Sequence, residues 1–208
     1  MTHTLHRYGT AENLQNDYVV FAIAAQTVNA KGKAPVFAEF FKIIEKYDHV
    51  FCGDMKTGNE YAVGLDAIRE GFRDNSIVHA VFTNPDEVAK VLKELAQADL
   101  GLSIVVSGIV DHVDECCGKA GIKRHTVERS LGIHGNTKRL PQEEVLEIST
   151  MCGHGMVAFN LILHLLEEMK ASRITADDAA KEMASQCHCG VVNPVRAMEL
   201  LKEMAKGA

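Results

Sequence analysis

An α/β layered domain followed by a small helical unit is the architecture that this 208-residue sequence predicts. Three observations carry the expectation. Apolar β-branched runs alternate with stretches of helical spacing over residues 1–138. The Gly-, Asn- and Pro-rich stretch "GIHGNTKRLP" (132–141) then breaks the pattern, and after it residues 139–208 read as a helical Cys/His-containing unit. Strands alternating with helices favour several parallel neighbours. A ferredoxin-like α+β sheet is the alternative, because the strands are short.

The elements follow in order. "DYVVFAIAAQTV" (17–28) is a continuous apolar run and reads as a buried strand. "VFAEFFKIIEKY" (36–47) has helical spacing, "HVFCG" (49–53) is a short strand, "VGLDAIREGF" (63–72) is helical and "SIVHAVF" (76–82) is a strand. "TNPDEVAKVLKELAQA" (83–98) is the clearest helix of this half. Asn84 caps it, Pro85 suits its first position, and Asp86 and Glu87 suit the positive end of its dipole. "LSIVVSG" (102–108) is a strand running into the helical "IVDHVDECCGKAG", and "HTVERSLGI" (125–133) is expected to add a partly exposed fifth strand. Beyond Pro141, "QEEVLEIST" is helical or mixed, and "VAFNLILHLLEEMKAS", "TADDAAKEMASQ" and "NPVRAMELLKEMAK" are three helices, the last two opened by Thr175 and Asn193 as caps.

Composition bounds the function. Apolar residues make up 47% and charged residues 24%, ordinary for a soluble globular chain. No apolar run is long enough to span a bilayer, and the first residues lack the look of a signal or transit peptide, so the expected location is the cytoplasm. A net charge of −6 with scattered Lys and Arg argues against nucleic acid or an anionic membrane as partner. The six cysteines are expected as thiols, and five of them lie after residue 115.

An internal repeat accounts for part of that bias. "CGHGMVAFNLILHLLEEM" (152–169) aligns on "CHCGVVNPVRAMELLKEM" (187–204), so that Cys152 falls on Cys187, His154 on Cys189, Gly155 on Gly190 and Met169 on Met204. Repeats of this size mark one supersecondary unit used twice. Each copy sets two ligand-type residues, one residue apart, in a turn before a helix. The following Gly lets the chain curl, and the helix N-terminus favours a thiolate. If the turns face each other, Cys152, His154, Cys187 and Cys189 supply the four ligands that a tetrahedral Zn²⁺ or an iron–sulfur cluster takes. Against this stands ordinary packing: Cys behaves as a small hydrophobe, and matched Leu and Met positions are the buried faces of two amphipathic helices.

"ECCGKAG" followed by "CGHG" resembles the cysteine-rich CCG modules of heterodisulfide-reductase-like proteins, which implies a cluster. The terminal C-x-x-C of those modules is C-G-H-G here, and an earlier Cys is missing. Cys116 and Cys117 are alternative thiolates or, on their helical spacing, core residues, and Cys52 reads as a buried thiol.

Other candidates are simpler. Lys31 and Lys33 around Gly32 can cradle a phosphate of a cofactor at a helix start, although the loop has no recognised phosphate-binding pattern. His134, flanked by glycines, can serve as general acid or base, and His188 as an outer partner of the ligands. Asp54, Asp111, Asp114 and Glu115 in the loops 53–61 and 107–115 give a fallback cleft at strand ends. The expectation is therefore a cytoplasmic metal-binding protein, holding iron–sulfur or zinc, with a ligand cleft between sheet domain and helical unit. The centre would serve a redox or Lewis-acid enzyme acting on a small molecule. The alternatives are a metal-free thiol redox protein and a non-catalytic, zinc-stapled interaction protein. The apolar helices lead us to expect a homo-oligomer.

Overall fold

Strand β1 (Tyr18–Ile23) is the centre of the molecule, and its unbroken apolar sequence has a direct cause: it is covered on both faces. In the computed structural model, which describes residues 2–206, Val19 and Phe21 point into one core while Tyr18, Val20 and Ala22 point into another. Alternate side chains of a strand face opposite ways, so a strand between two cores cannot show a polar side.

Four more strands complete the sheet: β2 (Phe51–Asp54), β3 (Gly58–Asn59), β4 (Ile77–Phe82) and β5 (Ser103–Ser107). Their order is β3-β2-β4-β1-β5. All neighbours are antiparallel: β1 pairs with β4 (Phe21 opposite His79) and with β5 (Phe21 opposite Val105), and β2 pairs with β4 (Gly53 opposite His79). The expected parallel neighbours are therefore corrected to a mixed α/β architecture built on an antiparallel sheet. The double burial that suggested parallel strands is met instead by helices on one face and more helices on the other.

The first face carries α2 (Ala34–Ile44), α4 (Leu65–Gly71), α5 (Pro85–Ala98) and α6 (Val110–Ala120). The single turns α1 (Ala11–Leu14) and α3 (Glu60–Val63) meet the other layer, α1 through Asn13 to Glu147 and Arg196, and α3 against residues 176–185. Asn84 caps α5 by accepting from the Asp86 N–H, as its sequence predicts. The second face is covered by α7 (Glu143–Ser149), α8 (Phe159–Lys170), α9 (Ala176–Ser185) and α10 (Pro194–Lys206). A reciprocal Thr175–Asp178 capping box opens α9. The strand expected over 125–133 does not form: the segment is exposed and irregular, and Leu131 is 85% accessible.

The N-terminal segment is locked against the second layer by a buried ion network. Asp17, fully buried, accepts two hydrogen bonds from Arg7 at 2.6 and 2.7 Å, one from Arg196 at 3.1 Å and one from Asn193 at 3.1 Å. Burial alone would raise the Asp17 carboxyl, but the two guanidinium groups and Asn193 reverse this and hold it below its ordinary value. Removing one partner of such a pair strands charge in the interior. Asp17→Ala is expected to destabilise the fold by about 3–5 kcal/mol, measurable by urea denaturation. A loss under about 1 kcal/mol would show that solvent reaches these guanidinium groups.

Candidate functional site

Two turns face each other across the second layer: residues 150–158, between α7 and α8, and residues 186–193, between α9 and α10. They have the same backbone. The Gly155 N–H bonds to the Cys152 carbonyl and the Gly190 N–H to the Cys187 carbonyl, both at 2.9 Å. Gly155 and Gly190 are left-handed, at φ of +67° and +71°, angles that side chains disfavour. The N–H four residues on, from Met156 and from Val191, points at the sulfur of Cys152 and of Cys187 respectively.

Neighbouring elements hold the turns in place. Arg7 donates to the carbonyls of Met151 (2.9 Å) and Val191 (2.8 Å), so one guanidinium grips both. The Gly153 N–H bonds to the His3 carbonyl at 3.0 Å, so close that a Cβ on Gly153 would lie 2.0 Å from that oxygen. On the other side, Asn59 Nδ2 donates to the carbonyls of Ser185 and Cys187, while the backbone of β2 at Cys52–Gly53 presses against Gly190 and Cys189.

All four ligand-type side chains of the sequence pattern are brought together, and they meet in pairs. Cys187 neighbours Cys152, so its thiol can act as donor to a Cys152 thiolate. Cys189 Sγ lies 3.5 Å from His154 Nδ1. Each pair takes one residue from each turn. The three thiols are buried, whereas His154 reaches the surface.

Two further histidines adjoin them. His3 Nε2 lies 2.8 Å from His79 Nε2, and the His3 ring stacks on that of His154, with centroids 5.0 Å apart. His79, on β4, is fully buried, and its Nδ1 rests near the Gly53 backbone without a well-formed hydrogen bond. Neither His3 nor His79 belongs to the sequence pattern that marks the two turns. The available signal was a lone histidine inside the apolar strand "SIVHAVF", where a buried polar ring needs a partner.

The electrostatics are asymmetric. The hydrogen bond from Cys187, with the backbone N–H groups of Met156 and His154, overrides burial and lowers the Cys152 thiol to about 6. Cys187, which donates that bond and is itself buried, is raised. Burial, with Cys152 and Asp54 nearby, pushes Cys189 up to about 12. Burial lowers His3 to about 4 and His79 well below the ordinary imidazole value, so at neutral pH both rings are uncharged. The resting site is one thiolate, two thiols and neutral imidazoles at His3 and His79.

The remaining candidates lie elsewhere. Cys116, Cys117 and Cys52 belong to the core on the opposite face, where Cys116 donates to the Pro85 carbonyl; packing accounts for them. The N–H groups of Gly32 and Ala34, which would cradle a phosphate between Lys31 and Lys33, are taken by Asp74, and Lys33 donates to the Leu100 carbonyl. His134 lies in an exposed loop and bonds locally to the Leu131 carbonyl, and exposed His188 lies over Gly58 rather than toward the sulfurs. The fallback loops are separated by topology: β2 and β5 run in opposite directions, so their C-terminal ends lie at opposite ends of the sheet. Asp54 there is structural, accepting from Thr57, Ser76 and the Ile77 N–H.

A cavity of about 510 Å³ runs along β5 under residues 122–128, and none of its lining residues comes from α7–α10. Among the described residues, the three-residue group whose ligand atoms all lie within 4.8 Å of one another is His49, Cys52 and Glu60. There the Cys52 thiol donates to Glu60 at 3.7 Å, and a hydrogen bond accounts for the contact.

Comparisons with protein-family models, with curated proteins and with solved structures return no match to this chain. Among the described residues, no helix is long and apolar enough to cross a membrane.

In reduced, metal-free protein, ultraviolet thiolate absorbance should grow by one thiolate as pH rises through about 6. Free cysteine would titrate near ~8.5. Cys187→Ala removes the donor and should move that step upward. An ordinary thiol titration in both proteins would refute the Cys152–Cys187 hydrogen bond.

Proposed function

We propose that Cys152, His154, Cys187 and Cys189 form a metal–thiolate centre for an iron–sulfur cluster or zinc, and that the chain works as a cytoplasmic metal-dependent protein. The observation that carries this reading is the pairing itself: three buried thiols and one surface-reaching imidazole, drawn from two turns of matching backbone, come together in pairs. The donor set fits the group. Three thiols and one imidazole suit a thiophilic ion, Cys152 is already favoured as thiolate, and backbone N–H groups aim at both Cys152 and Cys187. When bound, such a centre supplies either one-electron chemistry or Lewis acidity toward a small molecule. The protein's own residues orient the ligands: Arg7 and Asn59 fix the turns, and the uncharged His3 ring supports His154.

On the same footing, we read α7–α8 and α9–α10 as a duplicated unit, and the sheet without β3 as ferredoxin-like. The helices α8 and α10 begin at equivalent positions, Phe159 and Pro194, which supports the duplication. Residues 1–138 and 139–208 then form the two parts. The exposed apolar residues Val127, Leu131 and Ile133 support a homo-oligomer. A second functional reading, a metal-free dithiol, is favoured by one observation: Cys152 as thiolate contacts Cys187 as thiol, the arrangement that precedes a transient disulfide.

The deciding experiment is metal and acid-labile sulfide analysis of anaerobically purified chain. Stoichiometric metal that is lost from Cys152→Ser and Cys189→Ser, and retained by Cys116→Ala/Cys117→Ala, is the expected result. Metal-free protein that refuses iron and zinc on reconstitution, yet forms a Cys152–Cys187 disulfide with mild oxidant, would replace the metal centre with the dithiol.

A further inference from the structure

The arrangement of the ligand atoms distinguishes between centres that share the same four residues. Around one tetrahedral zinc, with bonds of about 2.0–2.3 Å, all ligand atoms sit within roughly 4 Å of one another. Around a cubic four-iron cluster each ligand binds a different iron, so none contacts another. A two-iron cluster gives a third pattern: two ligands on each iron close together, and the two pairs held apart by the bridging sulfides.

The protein shows the third pattern. Cys189 Sγ and His154 Nδ1 are 3.5 Å apart, and Cys152 and Cys187 are neighbours in the buried part of the site. Yet among the described residues, no three of these four ligand atoms come within 4.8 Å of one another, the spacing that His49, Cys52 and Glu60 do meet. The pairs are also chemically unequal. One is all sulfur, buried and gripped by backbone N–H groups; the other carries the imidazole and opens to solvent at His154.

We propose that the site holds a two-iron, two-sulfide cluster, with Cys152 and Cys187 on the inner iron and Cys189 and His154 on the outer one. This rests on the metal–thiolate reading above and deepens it. Each turn gives one ligand to each iron, which explains why equivalent residues of the two turns, and not neighbours within one turn, make contact. Binding requires Cys187 and Cys189 to lose their protons to solvent, while Cys152 is already ionised.

The test is anaerobic reconstitution of the full chain with ferrous iron and sulfide, followed by analysis and electron paramagnetic resonance after dithionite reduction. The expected result is two irons and two sulfides per chain, with a reduced half-integer-spin signal. His154→Cys should keep the cluster and lower its potential, a signature that a purely structural His154 would not give. Four irons per chain, or refusal of iron together with zinc bound in a single shell of three sulfurs and one nitrogen by X-ray absorption, overturns the two-iron assignment while leaving the metal–thiolate centre standing. Refusal of both metals removes the centre itself.

Discussion

One guanidinium ties the molecule together. Arg7 is held by the buried carboxylate of Asp17, just before the central strand, and its remaining N–H groups reach the carbonyls of Met151 and Val191. Those carbonyls belong to the two turns that carry the sulfur. Without Arg7 the turns would be linked through helix packing and the contacts of their own Cys and His side chains, which fix the backbone less finely than a charged, multiply bonded group. Asp17 also gathers Arg196 and Asn193 at the start of α10, so the sheet, the N-terminal segment and the last helix are all referred to one carboxylate.

Around that anchor the site is built from close backbone approaches. Gly153 under the His3 carbonyl, and Gly190 and Gly53 between β2 and the second turn, leave no room for a side chain. Glycine is needed there for proximity, and at Gly155 and Gly190 for backbone handedness as well. The result is a site whose spacing is set by main chain, with the cysteines buried between the turns. The single lowered thiol follows from this: N–H groups delivered by a rigid turn stabilise one negative charge, and the adjacent Cys187 completes the shell.

Much of this was legible in the residues. Helices α5, α8, α9 and α10 announced themselves through Asn-Pro or Thr caps and apolar spacing, and the matched C-x-[H/C]-G turns pointed to four side chains that the fold places in two facing turns. The direction of the strands was not legible, because a run such as "YVVFAI" looks the same whenever both faces are covered. β3 is too short to leave a periodic signal, and 125–133 has strand-forming residues but no partner to pair with. His3 was missed because its placement depends on Arg7 and Gly153, contacts made across more than a hundred residues that no local pattern encodes.

The strap formed by residues 3–17 has a consequence for assembly. Its partners lie far along the sequence, at residues 151–196. Contacts of such long sequence separation close late in folding. Until they do, the sulfur turns lack both their clamp and the His3 ring that stacks on His154. The segment that fixes the finished turns thereby sets an order of events: the helices gather the cysteines first, and their alignment waits on a strap that reaches back across the sequence.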